Sequence, residues 1–406
     1  MSGPLPDRTI LDARWRIDRM IAVGGMSTVH AAWDLAESRP VAIKILLDQA
    51  KGVADLVARF RRERRILALM TSVHVPRLLG DGHLDDGTPF LVMDYLQGST
   101  LADLFDSWGP LPFGTAASYV VQACEAIAEA HSIGVVHRDL KPANLFVTTG
   151  ASGFALVKVL DFGISKSAIG ARNGKDSNEP SLTRATDVFG SPQYMSPEQL
   201  LSTRHVDHTT DIWSLGVLLY EMLTGSLPFE GTTVETVRAA VMTTRPAPMR
   251  ERRPDIPDGL EAVVSRCLEK FVDDRIPTVE DLARALLPFA EPREPAEADL
   301  ERIIAYGPPA RLPMPSDLAV ALDAIEAGNP GRDPAASSAK LAPLAGRPVL
   351  LFGPFPDPEV PDPYVPRRKI QAHERRRTRR VLAAAGAAGL AAGLILGGVL
   401  EWFVRW

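Results

Sequence analysis

The residues with the most consequential chemistry stand in one short run, His137-Arg138-Asp139-Leu140-Lys141-Pro142-Ala143-Asn144. Asp139 and Asn144 are five positions apart across a proline-containing loop, so both side chains can converge on one point. Seventeen residues past Asn144, an apolar run over 157–160 ends in Asp161-Phe162-Gly163. Phosphoryl transfer needs a carboxylate to orient a hydroxyl and a cation near the transferred group. It also needs oxygen ligands that hold Mg²⁺ against phosphates. Asp139, Lys141, Asn144 and Asp161 supply those parts in that order.

Two weaker signals lie upstream. Gly24 and Gly25 sit in a turn between β-like runs, ahead of Val41-Ala42-Ile43-Lys44. Such a hairpin lets backbone N–H groups approach phosphate oxygens without side-chain obstruction. Taken alone, a glycine pair is equally a plain turn, and a strand lysine equally a solvent-facing one. Between 55 and 70, Leu56, Phe60, Leu67 and Met70 recur at helical spacing, and Glu63 falls on the same stripe. A carboxylate on an inward face needs a cation, and Lys44 is a candidate. Arginines at 59, 61, 62, 64 and 65 surround that stripe, so a solvated helix with Glu63 paired to a neighbouring arginine fits as well.

The elements that must position these groups follow a coarse order. Short β-like runs, with the one helical stretch, occupy 15–96, and helical periodicity dominates from about residue 101. A small β-rich lobe followed by a larger helical lobe is expected. With 406 residues the chain exceeds what one core usually organises, so further modules are expected too. The net charge of −5 points to no nucleic-acid partner. Its two cysteines, Cys124 and Cys267, lie in apolar helical patterns without a second Cys or a His at ligand spacing, which fits a reducing compartment and neither a disulfide nor a thiolate metal site. No basic-then-apolar signal peptide opens the chain.

Taken together, these motifs resemble the eukaryotic-like (Hanks-type) protein kinases, in their bacterial Ser/Thr branch. The resemblance covers about 15–289, with Lys141-Pro142-Ala143-Asn144 in the Ser/Thr form and Gly24-Gly25-Met26-Ser27-Thr28-Val29-His30 in the bacterial wording. It implies an α+β, two-lobed kinase fold that uses ATP with Mg²⁺, Mn²⁺ being an alternative. Asp139, Lys141, Lys44 and Glu63 would be catalytic, and Asn144 and Asp161 would hold the metal. For ATP it implies Ile21, Gly24, Gly25, Val29, Ala42, Lys44, Met93, Asp94, Leu96 and Phe146, with backbone groups of Asp94 and Leu96 on the adenine edge. Glu198 would brace Arg275, and Asp211 would tie its helix to the catalytic loop. Thr183, or else Ser181 or Thr186, would be phosphorylated by the chain itself and pair with Arg138. Two departures stand out: the first and third loop glycines of the family are Ala22 and Ser27 here.

Two other functions share the fold. A pseudokinase scaffold would usually lack one of Lys44, Asp139 and Asp161, all present. A small-molecule kinase would lack the peptide-docking run Phe189-Gly190-Ser191-Pro192-Gln193-Tyr194-Met195-Ser196-Pro197-Glu198, which is complete.

The expected organisation is an N-terminal extension at 1–14 and a catalytic domain at 15–290, divided into lobes 15–96 and 97–290. A Pro/Ala-rich, mostly disordered linker at 291–366 would follow, then a basic juxtamembrane segment at 367–380 and a transmembrane helix at 381–404. That places the chain in a cell membrane as a single-pass protein with a cytoplasmic kinase domain, touching lipid. Gly389, Gly393 and Gly397 recur every four residues and suggest a self-association face.

Overall fold

The computed structural model describes residues 9–51, 53–150, 152–162, 192–201 and 206–310. The N-terminal lobe is an antiparallel sheet of β1 (Ile10–Leu11), β2 (Trp15–Val23), β3 (Ser27–Asp34), β4 (Arg39–Leu46), β5 (Leu78–His83) and β6 (Pro89–Asp94), in the order β1-β2-β3-β4-β6-β5. Two helices, α1 (Asp48–Lys51) and α2 (Ala54–Leu69), lie between β4 and β5.

Alternation along β4 decides what each face of this sheet does. Val41, Ile43 and Ile45 join Trp15, Ile17, Ala32, Phe90 and Val92 in a small apolar core on one face. Ala42 and Lys44 take the other face. Their register partners Val29, Leu91 and Met93 share it, since Val29 pairs with Lys44, Lys44 with Leu91 and Ala42 with Met93. Lys44 therefore points away from the lobe's own core and toward α2 and the C-terminal lobe.

The C-terminal lobe opens with β7 (Gly98–Thr100), α3 (Leu101–Trp108) and α4 (Phe113–Ser132), then β8 (Leu145–Thr149) and β9 (Ala155–Val159), which close a three-stranded sheet β7-β8-β9. At Gly98, with φ +148°, a Cβ would stand 2.0 Å from the Val147 carbonyl oxygen, so β7 approaches β8 as only glycine allows. Helices α5 (Pro197–Leu201), α6 (Thr209–Thr224), α7 (Val234–Thr243), α8 (Met249–Arg252), α9 (Asp258–Cys267) and α10 (Val279–Leu286) follow. Helices α4 and α6 are buried on nearly every side, as their apolar sequences require, and form the lobe's centre. Cys124 and Cys267 are both buried there as free thiols.

Two expected boundaries move. The extension placed at 1–14 contributes β1, whose Leu11 pairs with Trp15 and is buried with it, so the folded unit starts before residue 15. The linker placed at 291–366 begins with an ordered helix, α11 (Arg293–Tyr306). Ala296, Leu300 and Ile303, at positions i, i+4 and i+7, give it an apolar stripe that buries within the main core. Among the described residues no helix is long and apolar enough to cross a membrane. The span expected at 381–404, the basic segment 367–380, the glycines Gly389, Gly393 and Gly397, and the hydroxyls of Ser181, Thr183 and Thr186 lie outside the described residues.

Candidate active site

Helix α2 carries Glu63 on its inward stripe with Phe60, Ile66 and Leu67, all buried. Of its arginines, Arg59 pairs with Asp55 and Arg64 with Asp81. Glu63 instead accepts from Lys44 Nζ at 2.5 Å, which settles the choice the sequence leaves open. The same ammonium donates to Asp161 Oδ1 at 2.6 Å. One lysine thus joins β4, α2 and the residue two places past β9. Burial alone would push the Lys44 ammonium down, but Asp161 and Glu63 beside it hold it above the ordinary lysine value. The Lys44 charge in turn lowers Asp161. Asp161 has φ +49°, an uncommon conformation for a residue with a Cβ, and its side chain stays 59% accessible, so solvent and ions can reach it.

The catalytic loop is held from behind by Asp211, at the start of α6. Its carboxylate accepts from the backbone N–H of His137 and of Arg138, each at 2.8 Å, and from His131 Nε2 at 2.8 Å. Arg138 takes φ +65° under this grip. Burial lowers the His137 ring below its ordinary value, so it stays neutral near pH 7. Its Nε2–H donates to the Leu160 carbonyl at 3.0 Å while Nδ1 accepts from Asp139 N–H at 3.3 Å. The first of these ties the loop to the residue that follows β9, and the second fastens the loop on itself.

With the loop fixed, Lys141 Nζ donates to Asp139 Oδ2 at 2.9 Å. Asn144 Nδ2 donates to the Asp139 carbonyl at 2.8 Å and to Oδ2 at 3.2 Å. The amide's nitrogen end is therefore committed to Asp139, and its oxygen is the end suited to a cation. Two side-chain oxygen donors are the usual protein share for Mg²⁺, which completes its shell with phosphate and water. Asn144 and Asp161 fit that demand.

The residues expected around a nucleotide divide by position. Ala42, Val29 and Met93 share the Lys44 face of the sheet, with Ala42 buried. Ile21 stands at the open edge, 44% exposed, beside the exposed Gly24 and Gly25. Asp94 donates its N–H to the Arg77 carbonyl, and its carboxylate accepts from the Arg77 guanidinium. Leu96 follows on the connection to β7, and Phe146 on β8 pairs opposite Thr100. Arg275 is buried and makes a two-pronged pair with Glu198, at 2.8 and 3.1 Å, as expected.

The order and spacing of these parts match one family throughout. The protein kinase domain family matches residues 15–286. The chain belongs to that family. Among its relatives, the Myxococcus xanthus serine/threonine-protein kinase pkn3 is 36% identical over 269 residues, covering 66% of this chain and 48% of that protein. A probable serine/threonine-protein kinase of Clostridium perfringens is 35% identical over 273 residues, 67% of this chain and 38% of its own length. PknB of Mycobacterium leprae is 34% identical over 280 residues, 68% and 43%. The chain spans less than half the length of these curated relatives, and the likeness is to the bacterial Ser/Thr branch of the kinase family.

Sequence reasoning missed a second group of buried polar residues. Glu125 and Glu129 on α4, with His74 and Asp299, form a network separate from the groups above. Glutamates four apart in the apolar run Ala123-Cys124-Glu125-Ala126-Ile127-Ala128-Glu129-Ala130 were the signal, since a buried helix face keeps charge only where partners wait.

Proposed function

We propose that the chain is an ATP-dependent protein kinase acting on Ser and Thr hydroxyls. The observation that carries this is Lys44, held between Glu63 and Asp161, together with Asp139 held beside Lys141 and Asn144. A bound ATP–Mg²⁺ supplies the phosphoryl group and the charge that neutralises its oxygens. Lys44, fully charged at neutral pH, is the group for the inner phosphates. Asp139 orients the acceptor hydroxyl and takes its proton, a contribution of about 10²–10⁴ in rate. Lys141 donates to that carboxylate at 2.9 Å and can face the same transferred group.

The finer reading adds autophosphorylation and a membrane anchor. Thr183, with Ser181 and Thr186 as alternatives, lies in the polar stretch between Asp161-Phe162-Gly163 and Ser196-Pro197-Glu198, where a phosphate can pair with Arg138. Residues 381–400 carry no charge and follow a cluster of eight Lys and Arg within 367–380, the order of a span preceded by its cytoplasmic flank. The test mixes purified chain, Mg²⁺ and ATP with a casein-like protein, an aminoglycoside and choline. Phosphate on protein Ser/Thr, and on at least one of the three loop hydroxyls, is expected. Phosphate on a small molecule alone would overturn the assignment.

A further inference from the structure

The catalytic machinery has a support that lies beyond the family match. That match ends at residue 286, and α11 begins at Arg293. We propose that α11 is a positioning element of the active site: Asp299 latches His74, and His74 fixes the relative placement of α2 and β9, the elements behind Glu63 and Asp161. The proposal rests on the kinase reading above for its rate effect, but not for its structural one.

His74 sits on the connection from α2 to β5, fully buried. Its backbone carbonyl accepts from Val159 N–H at 2.8 Å, and its Nδ1 faces the Val157 carbonyl at 2.7 Å. One residue therefore grips β9 at two points, four and two residues before Asp161. Its Nε2 faces Asp299 Oδ1 at 3.1 Å. Both ring nitrogens thus meet oxygen atoms, one of a backbone carbonyl and one of a carboxylate. Arg302 also donates to Asp299 Oδ1.

The same connection is pinned to α4. Glu129 accepts from Thr71 N–H at 2.7 Å, Thr71 Oγ1 at 2.6 Å and Ser72 N–H at 2.9 Å. Glu125 accepts from Ser72 Oγ with one oxygen. With the other it accepts from Arg302 Nε at 3.2 Å and Tyr306 OH at 2.9 Å, both on α11. Glu125, Glu129 and Asp299 are buried carboxylates, and α11 brings the arginine that offsets two of them. Just past the helix, Ala310 N–H donates to the His131 carbonyl at 2.9 Å, and His131 holds Asp211. So α11 reaches both supports of the site: the pivot of α2 and the residue that steadies the catalytic loop. A rigid helix carries any shift at 71–74 directly to Glu63, and from there to Lys44.

The experiment uses the full chain with Asp299→Ala and Asp299→Asn, reading kcat, KM for ATP and amide hydrogen exchange. The Asn amide carries both a donor and an acceptor for the His74 ring, so the latch survives in that variant. Asp299→Ala should lower kcat about tenfold with a small change in KM. Exchange should rise at 71–75 and 157–161 but not in α6, and Asp299→Asn should restore most of both. An unchanged kcat and exchange pattern in folded Asp299→Ala would overturn the proposal. So would equal loss in both variants with exchange raised throughout the lobe, the mark of a merely structural helix. If Asp299→Ala fails to fold, Arg302→Met is read by the same criteria. If the unaltered chain transfers no phosphate, the kinase reading fails, while the exchange pattern still decides the latch.

Discussion

At the residue scale, Asp211 shows how much rests on one side chain that touches no substrate. It satisfies two backbone N–H groups of the catalytic loop and one imidazole, all within a buried site. Asp211→Ala leaves those donors without their acceptor and should cost about 3–5 kcal/mol, measured by denaturant unfolding. Burial alone would raise this carboxyl, but the His131 hydrogen bond and the neighbouring rings outweigh it and hold it below the ordinary 3.8. In the window below 3.8 the unfolded chain therefore binds a proton the folded chain refuses. The stability Asp211 contributes is complete above that value and is lost as pH falls beneath it. The acid limb of a Tm-against-pH curve should accordingly be steeper for the unaltered chain than for Asp211→Asn. Equal limbs would show that Asp211 titrates alike in both states.

At the scale of elements, α2 is the part that must be placed rather than merely formed. Glu63→Gln keeps the shape of the side chain but removes the charge that holds Lys44 from the α2 side. We expect kcat to fall about 10-fold to 100-fold with the helix content unchanged by circular dichroism. Retained turnover would mean that Asp161 alone suffices to hold Lys44.

This element also marks where the sequence was readable and where it was not. The helical stripe and the position of Glu63 on it were legible, because period and residue type are local. The partner of Glu63 was not, because five nearby arginines offered local pairs and only the β-sheet register brings Lys44 across. The Asp139–Asn144 convergence was legible from spacing within one loop. Helix α11 was not, because its Pro- and Glu-rich start reads as linker. Its stripe of Ala296, Leu300 and Ile303 gains meaning only against the core it packs on. The His74–Asp299 pair, 225 residues apart in sequence, has no local signal at all.

At the scale of the whole molecule, a two-lobed unit runs at least through α11, and the C-terminal segment is proposed to enter a membrane. The twenty uncharged residues at 381–400 would cover about 30 Å, the hydrocarbon thickness, if they form a helix. Carbonate extraction of membranes should leave the full chain in the pellet and release a chain that stops at residue 366. Full recovery of the intact protein in the soluble fraction would rule out the span. If Gly389, Gly393 and Gly397 form a contact face, confinement beside a second copy raises the effective concentration of activation-loop hydroxyls. Replacing Gly389 and Gly393 with leucine should then lower both crosslinked dimer and phosphate on Thr183. If both persist with insertion intact, the face has no such role.

The central claim is that Asp139 handles the proton of an acceptor hydroxyl while Lys44, Asn144 and Asp161 hold ATP and its metal. The most direct test is transfer of the ATP γ-phosphate to protein Ser/Thr by the unaltered chain and by Asp139→Asn, alongside the rise in Tm that Mg²⁺–ATP gives each. The first should show magnesium-dependent transfer and the second a loss of about 10²–10⁴, with the same rise in Tm for both. Transfer by Asp139→Asn at the unaltered rate, or no magnesium-dependent transfer by the unaltered chain, would contradict it.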